Sequence, residues 1–259
     1  VPSTLQAKGM RADILAQSFG TLSMLAFQYG QIFVLLRMLN ISSSKIILYL
    51  AIPSVFEFLA LPFAYVADRW GKKRLGVPGL CLATAGFGGL VLATHVSAAL
   101  AEAVVVASIS VYAVGHIMMH CSLYALLSPV VPDGIRGRFF GKIRVTWQIV
   151  GIVFAAFCAA LLKKDASISA YQLIFVIITA GQAVRILYYS RIPEMEPPSG
   201  SIGPTFRDAL NSAIHLPGFM PFCAYVFLLT FFVANCPVLF ALVQKDTLSF
   251  GDREVVWMG

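Results

Sequence analysis

The stretch Ala64-Tyr65-Val66-Ala67-Asp68-Arg69-Trp70-Gly71-Lys72-Lys73-Arg74 separates two long apolar runs, Ile46 to Val66 and Leu75 to Val96. A helix needs roughly 20 apolar residues to cross a bilayer, and both runs reach that length. The polar insert puts four cations, one carboxylate and a glycine into seven residues. It is too short for a domain and too charged for a core. It reads as a tight turn between two antiparallel membrane helices, with Gly71 supplying the backbone freedom the turn needs.

The same alternation continues on both sides. Further apolar runs are Ile14 to Leu36, about Ala103 to Leu127, Val145 to Leu162, Ala170 to Tyr189 and Phe219 to Val243, and another opens at Val255. The expected fold is all-α: a polytopic membrane protein with six spans, a linker and the start of a second helical group. Lipid offers the backbone no hydrogen-bond partner, so each span must be helical, and the period-two pattern of a barrel strand is absent. Composition agrees. Only 12% of the 259 residues are charged, about half the share in a soluble domain. Hydrophobic residues make up 59% and mean hydropathy is +0.82, which excludes a soluble enzyme, a disordered chain and a disulfide scaffold. The five cysteines fall in or beside apolar runs without a CxxC pair, and read as small hydrophobes rather than a metal site or disulfide set. Small residues from Ala83 to Gly89 should let another helix approach the third span closely. The chain opens on Val1 and ends soon after Val255, so a longer protein is expected.

Basic residues fix an orientation. Twelve of the nineteen lysines and arginines fall on the side of Lys8, Arg11, the Arg69–Arg74 cluster, the Arg136–Arg144 cluster, Arg191 and Arg207. Six lie on the other side, and Arg185 stands within the sixth span near its end, where its guanidinium is expected to snorkel to the surface. The positive-inside rule then makes the N-terminus cytoplasmic, in the cell (inner) membrane. The expected organisation is 1–190, a six-helix bundle; 191–218, a cytoplasmic linker; and 219–259, the start of a second bundle. The Pro- and Glu-containing segment from Arg191 cannot build a core. Pro204 to Ile214 should form a short amphipathic helix with Phe206, Leu210 and Ile214 on one face.

The quoted turn resembles the signature loop of the major facilitator superfamily, Gly-x-Leu-Ala-Asp-Arg-x-Gly-Arg-Lys. Asp68, Arg69, Gly71, Lys72 and Lys73 match it, with Lys72 in place of Arg, Ala64 in place of the first Gly and Val66 in place of Leu. The loop also falls between spans two and three on the cytoplasmic side, as that family requires. Asp68 lies at a helix C-terminus, where the dipole disfavours a carboxylate, so it needs cations or a helix N-terminus nearby. The resemblance implies a latch that holds two bundles in the outward-facing orientation. A second basic loop, Pro132 to Arg144 with Arg136, Gly137 and Arg138, is similar to that family's loop before the fifth span; a positive-inside turn explains it as well. Two departures from the family stand out. The fourth span has no arginine, and the fifth has no Gly-Pro pair, which argues against proton-driven drug export.

Ionisable and polar groups at membrane depth are the candidate site, because they are costly there. Glu57 lies mid-span, and an unbroken helix would put it on the face of Asp68, about 16 Å along the axis. His116 and His120 share one face of the fourth span with Tyr112 and Tyr124. Gln17, Thr21, Gln28 and Gln31 form a polar stripe on the first span, facing either a cavity or another helix. Asn235 in the seventh span and Gln148 in the fifth are weaker candidates. The two histidines lack a third ligand, so no metal and no cofactor is expected. No Walker loop or hydrolase, kinase or Rossmann motif occurs, and the basic clusters lack the aromatics of a nucleic-acid surface. The expectation is a secondary transporter, not an enzyme, that moves a small-molecule substrate across the bilayer, with protons acting through Glu57 or His116 as one option for coupling. A seven-helix receptor or sensor is the alternative, though its N-terminus would lie outside, against the charge count.

Overall fold

The computed structural model describes residues 2–28, 30–162, 167–198, 200, 205–233 and 236–250. Asn235 and the run expected from Val255 lie outside them. Among the described residues the regular structure is entirely helical. Its helices are α1 (Thr4–Gln28), α2 (Gln31–Met38), α3 (Ser43–Phe56), α4 (Ala60–Trp70), α5 (Lys72–Ala93), α6 (Ala98–Leu127), α7 (Arg136–Leu161), α8 (Ile168–Tyr189), α9 (Phe206–Ile214), α10 (Phe219–Val233) and α11 (Cys236–Leu242). Among the described residues five helical stretches are long and apolar enough to cross a membrane, and counting each of two bent helix pairs as one span would raise that to seven. The chain has a multi-pass membrane fold.

Two spans depart from the straight rods expected. The first is broken between α1 and α2, where Gly30 takes a left-handed conformation at φ 71° that most side chains avoid. The second is interrupted between α3 and α4 by a 3₁₀ turn over Glu57–Leu59. Pro62 explains it: proline has no N–H to offer the carbonyl four residues back, that of Phe58, and its ring crowds the same group. The turn breaks the 100° phase on which the shared face of Glu57 and Asp68 depended. The second basic loop is also shorter than expected. After a 3₁₀ turn over Asp133–Ile135, Arg136 already begins α7, so Gly137 and Arg138 are helical rather than part of a turn.

The tightest seam joins α5 and α6. A Cβ on Gly115 would lie 2.4 Å from the Gly79 carbonyl, and one on Gly86 would lie 2.7 Å from the Ser108 carbonyl. Only glycine permits backbones this close, as the small residues of the third span led one to expect. Phe87 of α5 meets Tyr112 of α6 edge-on at 4.9 Å.

Buried apolar side chains form two clusters. One gathers Leu25, Ile32–Leu36, Phe87, Ile109, Tyr112, Phe175 and Ile178; the other gathers Ala12, Ala16, Leu80, Met119, Leu123 and Tyr189. On α1 and α8 several polar residues fall in sequence between the members of the two clusters, Gln17, Thr21 and Ser23 on one and Thr179, Gln182 and Arg185 on the other, and on α6 the single residue His116 does. The basic ends meet on one side: the Gln6 amide reaches the Pro129 carbonyl at 3.2 Å, and the Lys73 ammonium reaches the Ser190 carbonyl at 2.8 Å. At the opposite end Lys45 pairs with Glu102 at 2.7 Å.

Candidate functional site

The polar stretch between the two clusters is a connected layer. Arg185 of α8 is 5% exposed and donates to the Gln17 side-chain oxygen at 3.1 Å and toward the Met119 sulfur at 3.5 Å. Gln17 in turn donates to Asp13 at 3.3 Å on the previous turn of α1. One turn away, the Gln182 amide donates to the Ser23 hydroxyl. Gly20 makes room for the guanidinium, whose central carbon would lie 2.4 Å from a Cβ there. Arg185 therefore does not snorkel. It turns inward because Gly20 leaves it a slot and Gln17 offers an acceptor. The layer ties α1 to α6 and α8, and holds one cation and one carboxylate bridged by an amide. Some of its hydrogen-bonding capacity is unused: Asp13 Oδ2, Arg185 Nε and Gln182 Oε1 are buried without a hydrogen-bond partner. Such groups inside a membrane bundle are costly unless something else meets them.

The stripe on the first span divides. Gln17 is in the layer, and the Thr21 hydroxyl bonds back to the Gln17 carbonyl at 2.9 Å. Gln28 is exposed, and Gln31, beyond the break, is buried and directs its amide to the Cys158 sulfur of α7 at 3.6 Å. On α6 a ladder of rings runs outward from the core. Tyr112 stacks on His116 at 5.5 Å, His116 stacks on His120 at 5.5 Å, and His120 meets Tyr124 edge-on at 5.0 Å. Exposure rises along it, from 4% at Tyr112 to 54% at Tyr124. The ladder thus runs from the apolar core at Tyr112 to the surface at Tyr124. Among the described residues no group of three His, Cys, Asp or Glu side chains could hold a metal. Glu57 is exposed at the start of the 3₁₀ turn, and its side chain makes no hydrogen bond or ion pair among the described residues, with His116 or any other group.

The signature-like turn lies away from the layer, at the basic end. Gly71 sits at φ 109°, a conformation that favours glycine, and starts α5. The Lys72 backbone N–H in the first turn of α5 donates to Glu194 at 2.6 Å, and the Lys72 ammonium pairs with Glu196 at 2.6 Å. A carboxylate on a helix N-terminus is well placed, since the dipole and free N–H groups favour negative charge there. Arg69 lies over the Tyr65 ring at 4.8 Å, and Tyr65 meets Phe206 of α9 at 5.4 Å. The linker is therefore clasped onto the turn by its two acids and by α9. Arg136 of the second basic segment pairs locally with Asp133 at 2.7 Å, and a Cβ on Gly137 would touch nothing within 4 Å. The structure does not bring Arg136, Gly137 or Arg138 into the clasp.

Asp13, Gln182, Glu194 and Glu196 were not among the residues singled out by sequence, and Arg185 was expected to snorkel rather than to join a buried layer. Asp13, Gln17 and Gly20 follow the i, i+4, i+7 spacing of one helical face, and Ile178, Gln182, Arg185 and Tyr189 do the same on α8. That spacing was the available signal.

No protein-family description and no curated protein matches the chain. Solved structures do. Two crystal structures of POT family transporters, one in complex with a thioalcohol-conjugated peptide and one with 5-aminolevulinic acid, align with a TM-score of 0.61 and 14% identity. The fold is similar to that of the POT family transporters. The alignment covers 93% of this chain and 51% of each of theirs, so the chain spans about half the length of the transporters it matches.

Proposed function

We propose that this chain carries the N-terminal bundle, the linker and the start of the second bundle of a secondary transporter that moves a small, carboxylate-bearing solute by alternating access. The observation that carries the reading is the polar layer between two apolar clusters, in a fold shared with solved transporters. Transporters of this kind bind substrate near mid-membrane, where polar side chains are otherwise too costly to keep. Arg185 is the cation of the layer, and its unused Nε suits an anionic group. The His116–His120 ladder would offer the route between layer and surface. Asp68, Arg69, Gly71, Lys72 and Lys73, clasped by Glu194 and Glu196, would hold one of the two orientations, with the N-terminus cytoplasmic as the basic residues indicate. The transporter-like fold favours this reading over a seven-helix receptor.

The test is uptake by the full-length protein in proteoliposomes, with 5-aminolevulinic acid and a dipeptide as probes. Uptake above empty vesicles is expected, with Arg185→Gln reducing it at least tenfold. Full uptake by Arg185→Gln would remove the layer from the pathway. A run with and without a pH gradient, repeated for Glu57→Gln and His116→Gln, tests protons as the coupling ion. Unchanged pH dependence in both variants would exclude both groups from coupling.

A further inference from the structure

A cavity of about 340 Å³ opens between the first turns of α1 and the start of α7, on the side where the basic ends gather. Two stretches with the same spacing line it: Ala7, Met10, Arg11 and Ile14 from one, and Ile135, Arg138, Phe139 and Lys142 from the other. Positions i, i+3, i+4 and i+7 share one face of a helix, so one face of α1 confronts Arg138, Phe139 and Lys142 of α7 and Ile135 of the turn before it. Each face mixes apolar walls with cations. Arg11, Arg138 and Lys142 are exposed, and none of their side chains has a hydrogen-bond or ion-pair partner among the described residues. The nearest carboxylates in sequence are engaged elsewhere: Asp133 pairs with Arg136, and Asp13 is turned into the buried layer. Three cations without acid partners around an apolar floor suit an anionic amphiphile. The size falls at the lower end of small-molecule sites, which run from about 300 Å³.

Depth identifies the amphiphile. Arg11 and Lys142 each lie three residues before an apolar run, at Ile14 and Val145, which is the level of the lipid headgroups. Basic pockets between helices at the cytoplasmic surface attract anionic headgroups, at about 1 kcal/mol per cation. We propose that the cavity binds an anionic phospholipid, with its phosphate among Arg11, Arg138 and Lys142 and the first acyl carbons against Met10, Ile14 and Phe139. A free phosphate would meet the cations and leave the walls uncovered. The site depends on the bundle and its bilayer, not on transport, so uptake and lipid binding can fail independently.

The experiment uses the purified full-length protein and native mass spectrometry. The probes are dioleoyl-phosphatidylglycerol, dioleoyl-phosphatidylcholine and inorganic phosphate. Phosphatidylglycerol should be retained over phosphatidylcholine, and Arg11→Gln, Arg138→Gln and Lys142→Gln should each weaken it about fivefold. Ile14→Ser, which keeps every cation, should weaken it too. Lys45→Gln at the opposite end should change nothing. A melting curve for each variant confirms that it is folded. Equal retention of the two lipids, or unchanged phosphatidylglycerol binding in the triple variant, would overturn the proposal. So would displacement of phosphatidylglycerol by equimolar inorganic phosphate, which would mark an anion site indifferent to the tail.

Discussion

The third and second spans have similar hydropathy, yet the protein uses them in opposite ways. In the most apolar stretch of α5, 44% of residues are buried within this chain; in the span from Ser43 to Trp70 the share is 6%. The α5–α6 seam is finished, with glycine against backbone carbonyl and ring against ring. The second span leaves Leu48, Val55, Phe58 and Leu61 exposed. Hydropathy therefore says that a helix belongs in lipid, but not which neighbour it packs against. The glycines carry that second message, and the second span from Ser43 to Trp70 has none.

Substitutions can break or sharpen this contrast. The largest effect is expected at Gly115→Leu, whose side chain has no space beside the Gly79 backbone. It should destabilise by about 3 kcal/mol or more, read as loss of the monodisperse peak and of the melting transition in detergent. Arg185→Ala should cost nearly as much, about 3 kcal/mol, because it strands Asp13 and Gln17 in the layer. A double-mutant cycle with Asp13→Asn tests this: non-additive losses are expected, and additive ones would show that Gln17 does not couple the two. Glu194→Gln should cost about 1 kcal/mol by weakening the charge at the α5 N-terminus. It should show as faster hydrogen exchange over residues 191–198 with the seam unaffected. Phe58→Ala on the second span should stay within about 0.5 kcal/mol in the isolated chain, as for any exposed position. Gly137→Ala should cost nothing, being neutral or slightly stabilising in the melting curve, since the helix gains a better former and nothing lies nearby.

Much of the fold is legible in the sequence, because apolar runs of bilayer length leave little choice of structure. The residues Lys72–Ala93 and Ile168–Tyr189 sit close to the runs that announced them. The candidate site is less legible, for two physical reasons. Asp13 stands one residue before the apolar run and two after Arg11, so it looks like boundary charge. What buries it is the Gly20 slot and the Arg185 side chain, from a helix far away in sequence. Arg185 reads as a snorkelling residue because its end of the span is near, and only the packing of α1 against α8 shows which way it turns. Glu194 and Glu196 sit among prolines that exclude a core. Their contact with Lys72 is long-range, and no local pattern encodes it. Glu57 shows the converse: a carboxylate in mid-span invites a mechanism, and the structure gives it an exposed place at the start of a proline-induced irregularity.

That irregularity matters beyond Glu57. A straight membrane helix is a rod, and tilting one end moves the other. Between Ser43–Phe56 and Ala60–Trp70 the Phe58 carbonyl has no helical donor at Pro62, so one rung of the ladder is missing at mid-depth. The span is therefore two levers on a common pivot. The upper half can swing without dragging the Asp68 turn, and the linker acids seated there can keep their grip while it does.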